Sequence, residues 1–290
     1  MQKVQHTIGE APIAATVYLP AKEGKYPVVV LCHGFCGVQD LLLPQFAEAF
    51  AHAGYAAVTF DYRGFGRSGG DPGRLVPALQ IEDILEVVRW VRTREELDGE
   101  RIGLWGTSLG GGHVMGAAMR TEDIRCIVSQ LAFADGKQVV AGAMSHEEKL
   151  AFADTLERMQ AKKESTGRET MVSLPRVLSD EQSKAFYEKY RADHPSLDIK
   201  IPFLTVREMF RYRPAETAAQ VTCPTLVIVA GRDKVNPPEQ GIALYEASAA
   251  AEKALHVEET ATHYDLYEGD HFDRAVTLQL DWFERHLRNR

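Results

Sequence analysis

The segment Gly106-Thr107-Ser108-Leu109-Gly110 has the spacing G-x-S-x-G, in which a serine is flanked by small residues. The apolar run RIGLW before it predicts a strand, and the small-residue stretch after it predicts a helix packed closely on a sheet. Such a tight strand-to-helix turn strains the backbone at the serine and exposes its hydroxyl near a helix N-terminus, which stabilises developing negative charge. The pattern therefore predicts that Ser108 is a nucleophile.

A serine hydroxyl is a weak nucleophile unless a base takes its proton, so a histidine is required. The G-x-S-x-G turn between a predicted strand and helix resembles that of the α/β-hydrolases, and this resemblance implies the chain order serine, acid, histidine, with the histidine between the last strand and the last helix. His263 and His271 both lie in that interval. We favour His263, which follows the last predicted strand after a short loop. The alternative is His271, which falls where the last helix begins and also suits a capping or surface role.

The histidine in turn needs a carboxylate that fixes its tautomer and stabilises its positive form. Asp233 lies in GRDKVNPP, directly after the apolar run PTLVIVA, at the strand end where parallel sheets place their chemistry. Asp135, which follows the predicted strand at 124–130, is the competing candidate. We favour Asp233 as the acid.

Two backbone donors are needed to stabilise the oxyanion that forms during attack. The N–H of Leu109, directly after the serine, is the first candidate. The second comes from the glycine-containing loop HGFCG that follows the run PVVVLC, where Phe35 is our choice. His33, at the start of that loop, is interpreted as a residue that stabilises the loop rather than a catalytic one.

The elements that must position these residues alternate between short β-branched runs and longer amphipathic stretches. This alternation predicts an α/β fold with a mostly parallel central sheet flanked by helices. The predicted strands are residues 12–19, 27–32, 55–60, 101–105, 124–130, 224–230 and 254–257. The main predicted helices are residues 40–53, 78–94, 108–120 and about 272–287, with another that ends near Tyr245.

Between about residues 136 and 214 the alternation stops, and the chain becomes charged and helical in tendency, with no convincing strand. We therefore predict a core of residues 1–135 and 215–290 and a helical cap insertion of residues 136–214. So long a connection is usually functional. Its apolar and aromatic side chains either line an acyl pocket or pack the cap against the core.

Composition narrows the class of function. The chain has 290 residues and a net charge of −8, which argues against nucleic acid or an anionic membrane as the main partner. Its first residues lack a secretory pattern, and its four cysteines are scattered through apolar segments, so a cytoplasmic location is expected. No metal site and no cofactor are implied.

With Ser108, Asp233, His263 and the HGF loop, the sequence resembles the α/β-hydrolase superfamily over its length outside the insertion. The segment DYRGFGRSGG at residues 61–70, and its continuation to residue 91, is similar to the dienelactone-hydrolase-like branch and to polyketide transferase and thiohydrolase-like members. Dienelactone hydrolases usually carry a cysteine at the position of Ser108.

The resemblance implies a serine hydrolase that cleaves carboxylic ester or thioester bonds in a small acyl substrate through an acyl-enzyme. Peptide or amide hydrolysis, and acyl transfer or C–C bond cleavage in a biosynthetic or catabolic pathway, are the alternatives. A homodimer through the cap or an edge strand is compatible with the sequence.

Overall fold

The centre of the protein is a sheet made from the β-branched runs of the sequence. The structure, a computed structural model, describes residues 1–9, 12–22 and 24–288. The strands of this sheet are β1 (Gln2–Ile8), β2 (Ile13–Leu19), β3 (Tyr26–Cys32), β4 (Ala56–Phe60), β5 (Leu97–Thr107), β6 (Ile124–Gln130), β9 (Thr225–Ala230) and β10 (Lys253–Glu258). Their spatial order is β1-β2-β4-β3-β5-β6-β9-β10.

Six of these strands, from β4 to β10, run parallel to one another, and β2 lies antiparallel to both β1 and β4. The predicted mostly parallel sheet is therefore confirmed. Strand β1 was missed by the sequence analysis. Its sequence QKVQHTI is largely polar and its side chains are mostly exposed, so the apolar signal of a buried strand is weak there.

Helices cover both faces of the sheet. They are α1 (Leu43–His52), α2 (Pro77–Arg92), α3 (Leu109–Ala118), α10 (Pro238–Ala247) and α11 (Gly269–Phe283). In β3, Val28 and Val30 join the core on the face of α2 and α3, whereas Val29 and Leu31 join the core on the face of α1 and α11. Because successive side chains point to opposite faces, a strand buried on both sides reads as a continuous apolar run.

The predicted insertion is mainly helical. Its helices are α4 (Gly136–Ala141), α5 (His146–Thr166), α6 (Leu174–Val177), α7 (Glu181–Tyr190), α8 (Thr205–Arg211) and, at its end, α9 (Pro214–Ala218). The long helix α5 begins with a reciprocal capping box of Ser145 and Glu148. It ends at Gly167, whose φ of 68° suits glycine.

The expectation that this region holds no strand is wrong. Strands β7 (Met171–Ser173) and β8 (Lys200–Pro202) pair antiparallel in a small second sheet. Each has three residues, and the partners are far apart in the chain, so neither periodicity nor a turn signal marks them.

The chain enters and leaves this region at neighbouring points. The N–H of Gly136 donates to the Tyr212 carbonyl at 2.9 Å, and the N–H of Ala215 donates to the Ala134 carbonyl at 3.1 Å. A Cβ on Gly136 would overlap the Met209 carbonyl oxygen, so the close approach needs glycine. Among the described helices, none is both long and apolar enough to cross a membrane.

Candidate active site

Ser108 lies at the turn from β5 into α3, with φ 55° and ψ −121°. Such a backbone conformation costs about 1–3 kcal/mol in a non-glycine residue and persists where the surroundings enforce it. The flanking glycines are required sterically, because a Cβ on Gly106 would overlap the Gly110 carbonyl and a Cβ on Gly110 would overlap that of Cys32. The G-x-S-x-G spacing is therefore explained by packing around the serine.

Asp233 and His263 form a buried pair. His263 Nδ1 lies 2.6 Å from Asp233 Oδ2. His263 is 2% exposed and Asp233 is 5% exposed. Asp233 Oδ1 accepts hydrogen bonds from the N–H groups of Val235 and Asn236, each at 2.8 Å. These donors fix the carboxylate so that it accepts the Nδ1 proton, which leaves Nε2 of the imidazole as the basic nitrogen.

The cavity that opens over this pair is also lined by Ser108. Ser108 Oγ and His263 both lie in the part of the chain that the structure describes, and they do not form a hydrogen bond with each other. Catalytic hydrogen bonds are often long without substrate and tighten when it binds. The structure thus brings the predicted serine and histidine to one cavity, and it places the predicted aspartate in hydrogen-bond contact with that histidine.

Asn236 is a residue of this site that the sequence analysis missed. Its Nδ2 donates to Ser108 Oγ at 3.3 Å and to the Leu131 carbonyl at 2.7 Å, and its side chain is buried. It stands three residues after Asp233 in GRDKVNPP, so an amide close after the candidate acid was the available signal. Sequence alone does not tell that the loop folds back onto the serine.

The loop with the second proposed oxyanion donor packs directly against Ser108. A Cβ on Gly34 would lie 3.0 Å from Ser108 Cβ, so glycine lets the loop approach this closely. Neither the Phe35 nor the Leu109 backbone N–H donates to another described residue. Both remain available for an oxyanion, as the sequence analysis proposed.

His33 is engaged with its own loop. Its Nδ1 accepts from the Gly34 N–H at 2.7 Å and its Nε2 donates to the Leu41 carbonyl at 2.8 Å. Burial lowers the pKa of His33 to about 4, so the ring is neutral at physiological pH. These contacts support the interpretation of His33 as a loop-stabilising residue.

The segment DYRGFGRSGG makes hydrogen bonds to the chain that follows the HGFCG loop. The buried carboxylate of Asp61 accepts from the Gln39 N–H at 2.8 Å, from Gln39 Nε2 at 2.9 Å and from the Arg67 N–H at 3.0 Å. Gly66 has a φ of 53°, and a Cβ there would overlap the Asp61 carboxylate. Asp61 therefore links the turn around Gly66 to the chain around Gln39, which leads into α1.

The two alternative residues have other partners. His271 Nδ1 lies 2.6 Å from Glu258 Oε2, beside Arg274. Asp135 caps α4 by accepting from the Lys137 N–H at 2.7 Å, and it pairs with Arg213 at 3.2 Å. These contacts give both residues structural roles, and they favour His263 and Asp233 as base and acid.

Two spaces meet at Ser108. The first, of about 660 Å³ including its mouth, is lined largely by apolar and aromatic side chains of the insertion and the His263 loop: Leu174, Leu178, Phe186, Tyr187, Leu197 and Tyr264. The second, of about 840 Å³, lies between Phe35, Val139 and Met209. Phe152 and Phe210 instead pack on each other, with ring centroids 6.0 Å apart. Part of the aromatic content of the insertion thus lines a pocket, and part packs internally.

Comparison with known proteins assigns the chain to a family. Residues 25–270 match the Hydrolase_4 family, described as serine aminopeptidase, S33. The chain therefore belongs to this family, and it is an enzyme of the α/β-hydrolase kind. The predicted fold class and the resemblance to the α/β-hydrolase superfamily are confirmed.

Three relatives align over nearly the whole chain. A 31.7 kDa protein from the traX-finO intergenic region of Escherichia coli is 54% identical, over 99% of this chain and 100% of its own. The quorum-quenching protein AidA of Acinetobacter baumannii is 29% identical, over 97% and 94%. The thiohydrolase aneE of Aspergillus aculeatus is 27% identical, over 94% and 89%.

The fold is also shared with a solved structure. DcsB, solved in complex with a substrate analogue, superposes with a TM-score of 0.84 at 21% identity, over 99% of each chain. At this level of identity the likeness concerns the fold, which here includes the region of the insertion.

Proposed function

We propose that this enzyme hydrolyses carboxylic ester or thioester bonds of small acyl substrates, with Ser108 as nucleophile, His263 as base and Asp233 as the acid that orients it. One observation carries the proposal. The strained Ser108 and His263 line one cavity whose walls are mainly apolar, and His263 is held 2.6 Å from the buried carboxylate of Asp233.

The proposed reaction has two steps, acylation of the serine and hydrolysis of the acyl-serine. Ser108 Oγ attacks the acyl carbon while His263 Nε2 takes the hydroxyl proton, and the N–H groups of Phe35 and Leu109 donate to the oxyanion. The C–O or C–S bond then breaks, and His263 returns the proton to the leaving alcohol or thiol. Water next attacks the acyl-serine, again with His263 as base, and the acid and the free serine are released.

The apolar cavity supports an acyl substrate, since ligand pockets bind mainly through apolar walls with a few placed polar groups. The relative named thiohydrolase supports thioesters within that class. The family description as serine aminopeptidase makes peptide hydrolysis the second candidate, with acyl transfer or C–C bond cleavage behind it. We also propose a cytoplasmic location, because the four cysteines are scattered through apolar segments and suit a reducing compartment.

The proposal is tested by comparing Ser108→Ala with a matched control, Ser165→Ala at an exposed position of α5. We expect Ser108→Ala to lose several powers of ten in turnover of p-nitrophenyl butyrate, because the members of such a triad act as a unit. Intact mass after treatment with a fluorophosphonate should show one adduct in the wild type and in Ser165→Ala, and none in Ser108→Ala.

A panel of substrates tests which class of bond the enzyme cleaves. We expect an acyl thioester and a nitrophenyl ester to be turned over faster than an aminoacyl anilide, and acid rather than a new ester to form when an alcohol is added as acceptor. Near-wild-type turnover by unlabelled Ser108→Ala would refute the nucleophile. Faster cleavage of the anilide would instead assign a peptidase.

A further inference from the structure

Helix α7 of the insertion lies across the two loops that carry the proposed acid and base. We call residues 231–237 the acid loop and residues 259–268 the base loop. Gln182, in the first turn of α7, contacts both. Its Oε1 accepts from the Lys234 N–H at 3.3 Å and from the His263 N–H at 3.4 Å, and its Nε2 donates to the Arg232 carbonyl at 3.1 Å.

We propose that Gln182 is a positioning residue that sets the acid and base loops relative to each other, so that this one side chain of helix α7 acts on the geometry of the site. The inference rests on the proposed function. The three hydrogen bonds fall on both neighbours of Asp233 and on the backbone of His263 itself. A side chain so placed fixes the backbones from which the acid and the base project.

The chemistry of the side chain suits this task. An amide offers an acceptor oxygen and a donor nitrogen on one planar group, so it can bind two N–H groups and one carbonyl together. A carboxylate would retain the acceptors and lose the donor. An apolar chain of similar length would lose both, and these differences make the role separable by substitution.

Helix α7 is held over the base loop by other contacts as well. The hydroxyls of Ser183 and Tyr264 are 3.1 Å apart, and the rings of Phe186 and Tyr264 stack with centroids 4.3 Å apart and planes inclined by 11°. Lys189 pairs with Glu268 at 2.7 Å further along. These contacts seat the helix on the base loop, and Gln182 extends the contact to the acid loop.

The size of the expected effect follows from the distances. The Gln182 bonds are 3.1–3.4 Å long, at or beyond the upper end for N–H···O bonds, and the Asp233–His263 pair is already 2.6 Å apart. We therefore expect a loss of about tenfold in kcat, well short of the loss when a triad member is removed, because small misplacements of reacting groups cost up to about a hundredfold.

The experiment compares Gln182→Met, Gln182→Glu and the control Lys184→Ala, an exposed neighbour on α7. Kinetic constants for p-nitrophenyl butyrate are measured between pH 5 and 9, with thermal unfolding as a check on folding. Gln182→Met should lower kcat about tenfold with little change in KM. It should also move the acid limb of the kcat/KM profile to lower pH, because a looser carboxylate stabilises the imidazolium less.

Gln182→Glu tests the same idea in the opposite direction. It keeps both acceptor contacts, so kcat should recover partly, and its added negative charge should move the acid limb to higher pH. A residue that merely shapes the pocket would change KM and leave the profile in place. Folded variants with the kcat and pH profile of Lys184→Ala would overturn the role of Gln182, whereas an active Ser108→Ala would overturn the proposed function itself.

Discussion

Asn236 illustrates how a single amide can prepare a serine for attack. Its Nδ2 donates to Ser108 Oγ, so it occupies a lone pair of that oxygen and leaves the hydroxyl proton free to point toward the base. The same nitrogen is anchored by the Leu131 carbonyl at 2.7 Å, and the Asn236 N–H donates to Asp233. Asn236 therefore links the serine to the acid loop.

We expect Asn236→Ala to lower kcat about tenfold and to destabilise the protein by about 1–2 kcal/mol, because a buried carbonyl loses its donor. Asn236→Asp should be worse, since it places a second carboxylate beside Asp233 and cannot donate to Ser108. Steady-state kinetics and the rate of fluorophosphonate labelling measure the loss of activity, and urea unfolding measures the loss of stability. Unchanged labelling by Asn236→Ala would show that the contact to Ser108 has no part in activation.

At the scale of elements, the end of strand β10 is tied to helix α11 across the base loop. Glu258 accepts from His256 Nε2 at 2.9 Å and from Arg274 Nη2 at 2.8 Å, and it contacts His271. The hydrogen bonds from Arg274 and the two histidines outweigh burial and lower the pKa of Glu258 to about 2, from an ordinary value of 4.5.

A carboxyl group whose pKa is lower in the folded state stabilises the fold above its unfolded pKa, and this contribution is lost as the pH falls toward the folded value. We therefore expect Glu258→Gln to cost about 2 kcal/mol in the free energy of unfolding at pH 5.5. The difference from wild type should shrink between pH 4.5 and 2.5. Urea unfolding across this range, with exposed Glu95→Gln as control, measures it, and a difference that did not change with pH would contradict the assignment.

The elements also show what sequence can and cannot predict. Strands β3 and β9 were predictable because burial on both faces leaves a continuous apolar run, and the G-x-S-x-G turn marks itself by its glycines. The partly exposed β1 and the short pair β7–β8 lack such signals. Gln182 could not be predicted either, because its role depends on where α7 is placed over loops that are about 50 and 80 residues away in the chain.

At the scale of the whole molecule, the apolar cavity lies between core and insertion. The base loop of the core supplies Tyr264 and Tyr267, and the insertion supplies Leu174, Phe186 and Leu197. Ser108 thus lies beside a wall built from both parts, and under the proposed function the size of the acyl group that is accepted depends on how these parts meet.

We expect kcat/KM for p-nitrophenyl esters to rise from acetate to butyrate to hexanoate by up to about fourfold per methylene, because each buried methylene contributes about 0.8 kcal/mol. The rise should stop once the chain fills the cavity. Steady-state kinetics across the series, with Phe186→Ala to remove part of the wall, measures this. A flat or falling series would show that the acyl group lies elsewhere.

The backbone hydrogen bonds that join Gly136 to Tyr212 and Ala215 to Ala134 hold the two ends of the insertion at neighbouring points of the hydrolase core. An insertion whose two ends are adjacent can be lengthened, shortened or exchanged during evolution without a change in the order of the strands in the sheet. Substrate choice can then diverge while the chemistry that we propose at Ser108 is inherited. If Gln182 positions the two loops as proposed, an insertion grafted from a relative needs its own counterpart of this residue. Without one, we expect the chimaera to bind its new substrate and turn it over slowly.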